Sequence, residues 1–95
     1  MFDLLELKPD HFENLIGRDL PLVGSDFSLT ITSVQRLKSH SSRAAPFSLN
    51  LLAPANVRGV QGVYKIEHPE IGLLEMFLVP VATFDGRLQF EAVFN

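Results

Sequence analysis

Apolar and polar residues alternate in short runs along most of this chain, and the clearest runs lie toward its C-terminal end. The block Gln61 to Asn95, QGVYKIEHPEIGLLEMFLVPVATFDGRLQFEAVFN, reads as three strands joined by two turn signals, because period-two alternation bounded by Gly, Pro and Asp marks half-buried strands. Upstream, Phe27–Leu37 alternates at Phe27, Leu29 and Ile31, then slips to Val34 and Leu37. That slip predicts a bulge near Thr32 and Ser33. Pro46–Ala53 sets Phe47, Leu49 and Leu51 on one face, and Asp19–Val23 is a shorter run before a Gly24-Ser25-Asp26 turn. Lys38–Ala45 and Pro54–Val60 read as loops. Only Lys8–Ile16 carries a helical period, with Phe12, Leu15 and Ile16 as its apolar stripe, Pro9 in the first turn and Gly17 to end it. A helix of two turns is not stable alone and has to dock.

Six short strands and one short helix predict a mainly all-β fold. A flat six-stranded sheet would leave two edges and one bare face. A small closed or partly open antiparallel β-barrel, plugged or capped by the helix, removes both problems. The 95 residues form a single domain, 1–95, with no room for a second core.

Register in the last two hairpins follows from their turns. For Asp85-Gly86, a four-residue turn from Phe84 to Arg87 sets Phe77 opposite Phe94, Val79 opposite Ala92 and Val81 opposite Phe90. It also spares Pro80 a ladder bond that proline cannot donate. For Pro69-Glu70-Ile71-Gly72, a four-residue turn sets Tyr64 opposite Phe77 and Ile66 opposite Glu75. Tyr64, Phe77 and Phe94 then form an aromatic core row. On this reading Leu74, Met76, Leu78 and Val93 point outward as an apolar patch. Either the helix stripe covers it, or a partner does.

Composition narrows the classes. There is no cysteine, so no disulfide and no thiolate metal site. The start, Met1-Phe2-Asp3-Leu4-Leu5-Glu6, lacks the features of a secretory signal, and the longest apolar run, Met76 to Ala82, is far too short for a membrane span. A cytoplasmic protein without membrane contact is expected. Net charge is −3, unevenly placed. Residues 1–26 hold six acids and two bases, residues 27–66 five bases and no acid, and residues 67–95 five acids and one base. The middle either reflects ordinary solvated faces or docks an acidic partner or a second copy. Five bases without interleaved aromatics do not point to nucleic acid.

Candidate chemistry is sparse. His11, His40 and His68 show no ligand spacing, so neither a metal nor another cofactor is expected. His68 falls on the same face as Glu75 in the register above, with Glu67 and Glu70 near in sequence. A structural role at the turn outweighs a catalytic His–Glu pair. Ser39, Ser41 and Ser42 beside His40 lack a nucleophile elbow, and Gly59 and Gly62 precede a strand rather than a helix, so no phosphate cradle is expected.

Several segments together resemble a family of small bacterial proteins known only as a domain of unknown function. They are Leu15-Ile16-Gly17, Pro46-Phe47-Ser48-Leu49, Gln61-Gly62-Val63-Tyr64, His68-Pro69-Glu70-Ile71-Gly72, Phe77-Leu78-Val79-Pro80-Val81 and Phe90-Glu91-Ala92-Val93-Phe94-Asn95. The resemblance implies a small β-rich domain without established activity, and proteins of this kind are loosely associated with phage-tail-like gene neighbourhoods, hence a structural or accessory part of such an assembly or another. It carries no functional residues. The expected function is therefore a non-enzymatic domain acting through protein contacts or self-association. Its candidate surfaces are a basic loop (Arg36, Lys38, Arg43) and the apolar patch (Leu74, Met76, Leu78, Val93). A small-ligand barrel with a pocket lined by Tyr64 and the phenylalanines is the alternative, and an enzyme the third reading.

Overall fold

The computed structural model describes residues 6–38, 46–55 and 57–94. The elements run α1 (Asp10–Glu13), β1 (Asp19–Pro21), β2 (Ser28–Arg36), β3 (Phe47–Ala55), β4 (Gly62–His68), β5 (Gly72–Phe84) and β6 (Arg87–Phe94). The six strands are antiparallel, in the order β1-β2-β3-β6-β5-β4, and the sheet curls into a nearly closed barrel. The expected fold class holds.

Among the described residues a single bridge, Leu22↔Ile66, joins the two edge strands, with the Val23 N–H donating to the Lys65 carbonyl at 2.8 Å. Two prolines explain why closure goes no further. Extending the bridge register sets Pro21 opposite Glu67 and Asp19 opposite Pro69. Each of those pairs lacks one N–H donor, and edge prolines discourage strand addition.

The interior is packed with side chains. Ile31, Phe47, Leu49, Leu51, Ile66, Leu74, Met76 and Leu78 are all buried. Helix α1 plugs one end. Phe12 is buried, 5.9 Å from the Phe47 ring and edge-on to His68, while Phe47 stacks on Phe94 at 4.6 Å. At the other end the segment 57–60 crosses the barrel mouth. A Cβ on Gly59 would lie 2.5 Å from Phe90 Cζ, so only glycine allows this approach. Tyr64 packs on Phe90 and donates its hydroxyl to the Val60 carbonyl.

The expected helix is shorter than Lys8–Ile16. After Glu13 the chain tightens into i→i+3 bonds, Leu15 N–H to Phe12 and Arg18 N–H to Leu15, before Gly17 turns left-handed at φ +87°. A three-residue period aligns Phe12 with Leu15 and rotates Ile16 out, so the first two are buried and Ile16 is exposed. The predicted bulge in β2 is present, between Ile31 and Ser33. Strand β3 runs through Pro54, which falls where its pairing with β6 is irregular and no ladder donor is needed.

Both hairpin registers differ from expectation. The β4–β5 loop has three residues, Pro69-Glu70-Ile71, closed by His68↔Gly72 with Gly72 at φ +95°. That is the geometry of a three-residue loop ending in a left-handed bulge residue. Tyr64 therefore pairs with Met76, Lys65 with Glu75 and Ile66 with Leu74. The β5–β6 turn has two residues, Asp85 (φ 55°) and Gly86 (φ 77°), closed by Phe84↔Arg87. The register runs to Ala82↔Gln89 and then shifts to Pro80↔Phe90. Val81 is the extra residue. The bulge spares Pro80 its missing ladder bond, which a longer turn was expected to do. Because a one-residue shift exchanges faces, Leu74, Met76 and Leu78 point inward and Phe77 outward.

Candidate functional site

The proposed surface residues separate sharply. Leu74, Met76 and Leu78 lie in the core beside Phe12 and Leu15, so the apolar patch drawn from them does not exist. Of that set only Val93 is exposed. Arg36 is exposed but engaged: one guanidinium nitrogen donates to Asp10 Oδ1 at 2.6 Å and to Glu13 Oε1 at 2.9 Å, tying α1 to β2. The hydrogen bond from Arg36 holds the Asp10 carboxyl below its ordinary 3.8. Lys38 is exposed, and Arg43, with Ser39, His40, Ser41 and Ser42, lies outside the described residues.

His68 is buried at the helix-plugged end. Its Nδ1 accepts the N–H groups of Glu70 (3.1 Å) and Ile71 (3.2 Å), which fixes the proton on Nε2, and Nε2 donates to the His11 carbonyl at 2.7 Å. One imidazole thus satisfies three backbone groups and clamps the β4–β5 turn to α1. Glu75 is not its partner. It sits opposite Lys65 on the outer face of the hairpin.

That outer face is the feature the sequence reading missed. Along β4 the outward residues are Val63, Lys65 and Glu67. Their partners on β5 are Phe77, Glu75 and Leu73. Val63 is 63% exposed and Phe77 54%. The face therefore carries an apolar row, a row of opposite charges, and a mixed row of Glu67 with Leu73. Among the described residues neither Lys65 nor Glu75 belongs to an ion pair within the chain.

Two grooves flank the barrel. One, of about 520 Å³, follows the incomplete β1–β4 seam and is lined by Arg18, Asp19, Pro21, Glu67, His68 and Glu70. The other, of about 570 Å³, lies between segment 57–60 and the β5–β6 hairpin, with Arg58, Thr83 and Leu88 on its walls. Both are open surface depressions. Where the alternative reading placed a ligand pocket, the rings pack on one another, Phe12 on Phe47, Phe47 on Phe94 and Tyr64 on Phe90. Among the described residues no three His, Asp or Glu side chains are grouped to hold a metal ion, and no helix is long and apolar enough to cross a membrane.

The fold and this face define a small, packed, nearly closed antiparallel β-barrel whose outer wall carries an exposed apolar row on one hairpin. Residues 7–94 match the model of the domain of unknown function DUF6916, and the chain belongs to that family. No curated protein and no solved structure shows significant similarity to it.

Proposed function

We propose that this chain is a non-enzymatic binding domain, a component of a larger assembly, that works through protein contacts on the outer face of the β4–β5 hairpin. The observation that carries this reading is the distribution of exposed large apolar side chains. Among the described residues there are nine, and three of them, Val63, Leu73 and Phe77, lie on the outer face of this one hairpin. Scattered single apolar residues are ordinary on a protein surface, but a grouping that includes a directly paired Val and Phe marks a contact site. The engagement of both His68 nitrogens in backbone hydrogen bonds supports a structural rather than catalytic part for the most suggestive side chain.

The test is retention of proteins from the producing cell by the immobilised full chain, compared with Phe77→Asp, after thermal melts have shown both to be folded. A discrete set retained by the native chain and lost with Phe77→Asp is expected. Equal retention by both, or no retention above background together with no self-association, contradicts the reading.

A further inference from the structure

The order of residues on the outer hairpin face is self-complementary. Consider a second copy laid face to face on the first, related by a two-fold axis parallel to the strands and midway between β4 and β5. That operation places β4 of each copy over β5 of the other. Because Val63 pairs with Phe77 and Lys65 with Glu75 within one hairpin, the same operation sets Val63 over Phe77 and Lys65 over Glu75 across the interface, each twice. The two-fold perpendicular to the strands through the middle row instead sets Lys65 over Lys65 and Glu75 over Glu75. The charge pattern thus selects one arrangement and rejects the other.

We infer that this chain associates with a second copy of itself through the outer face of the β4–β5 hairpin, with reciprocal Lys65–Glu75 ion pairs across the two-fold axis. The inference rests on the reading of that face as a contact surface and names the partner. Sheets packed face to face lie about 10 Å apart and are rotated by about 30°. A lysine and a glutamate reaching from opposite sides span that gap. The charged row is the middle of the three rows, nearest the centre of the interface, so rotation of one sheet on the other displaces it least. Neither charge is committed to an ion pair inside the chain, so pairing across the interface sacrifices no salt bridge. The Glu67–Leu73 row lies at the rim, where the carboxylate stays in water. Three rows on two strands make a small interface beside the ~800 Å² per partner of a standard one, so the dimer is weak and forms at high protein concentration.

Charge reversal tests this without ambiguity. Purified full-length Lys65→Glu carries only acids on the middle row, and Glu75→Lys only bases. Each alone is expected to be monomeric in sedimentation velocity at several hundred micromolar, with association at least tenfold weaker than native. Mixed in equal amounts they are expected to form a heterodimer, because each acidic position then faces a basic one. Each variant retains its own like-charged cross-strand pair in the mixture, so restored association cannot come from intrachain repair. Monomeric native protein at these concentrations, unaltered self-association of either single variant, or a mixture that stays monomeric overturns the inference. If the native chain is monomeric yet retains cellular proteins in a Phe77-dependent way, self-association fails while the contact-surface reading stands. If the mixture dimerises and nothing else is retained, the partner is the second copy alone.

Discussion

The outer walls of the β2–β3 and β4–β5 hairpins are built from the same alternation and finish it in opposite ways. On β2–β3 several outward side chains are polar and hydrogen-bonded to one another or to the neighbouring strands, around an outward Leu52 that is itself covered. Asn50 donates to Ser33 Oγ and accepts from Gln89, Thr32 donates to the Asn50 carbonyl, and Thr30 donates to Asp19 Oδ1. On β4–β5 the outward set is Val63, Lys65, Glu67, Leu73, Glu75 and Phe77, with exposed apolar groups and uncommitted charge. A wall whose polar groups are mutually satisfied gives a partner little to bind. A wall that leaves apolar area in water and opposite charges unpaired retains free energy that association can release.

The contrast can be broken first along β5 itself. Leu78→Ala removes a fully buried side chain and is expected to cost about 3 kcal/mol in urea unfolding. Phe77→Ala, one residue away and facing out, is expected to cost at most about 1 kcal/mol, the scale of a cross-strand pair. Similar losses at both positions would mean that β5 does not present the faces described. Next in size is His68→Ala, which removes three hydrogen bonds, those to the His11 carbonyl and from the Glu70 and Ile71 N–H groups. A loss of about 2–3 kcal/mol is expected, with early amide exchange at Glu70 and Ile71 locating it at the turn.

On the polar wall, Asn50→Ala removes side-chain bonds to Ser33 and Gln89 and is expected to cost about 1 kcal/mol while leaving sedimentation unchanged. A change in self-association with that variant would place an interface on the wrong hairpin. The smallest effect is at Asp10. Its folded value is lowered by the Arg36 hydrogen bond, so its contribution is complete above about pH 3.8 and is lost as pH falls through the lowered folded value. Asp10→Asn is expected to flatten the stability curve slightly below pH 4, and an unchanged acid limb would show that this exposed pair contributes nothing.

Much of the barrel was legible because alternation and turn residues act locally. The six strands, the β2 bulge, the shared face of Phe47, Leu49 and Leu51, and the left-handed Gly17 all follow from short windows of sequence. Faces along β5 were not legible from turn chemistry alone, because they depend on a bulge at Val81 and on a three-residue rather than four-residue loop before Gly72. A cross-strand test would have found the second of these. The observed register sets Ile66 against Leu74 and Lys65 against Glu75, whereas the four-residue turn set Ile66 against Glu75. The candidate site inherited that error. The patch was sought on Leu74, Met76 and Leu78 and lies instead on their outward neighbours. The burial of His68 against α1 joins elements distant in sequence, and no local pattern reports it.

Sedimentation velocity of native chain and Phe77→Asp across a concentration series, alongside their thermal unfolding, tests the central claim most directly. A folded variant with an unchanged unfolding midpoint and lost self-association is the predicted result. A variant that unfolds would place Phe77 in the core, and a folded variant that associates as the native chain does would remove this face as the contact surface.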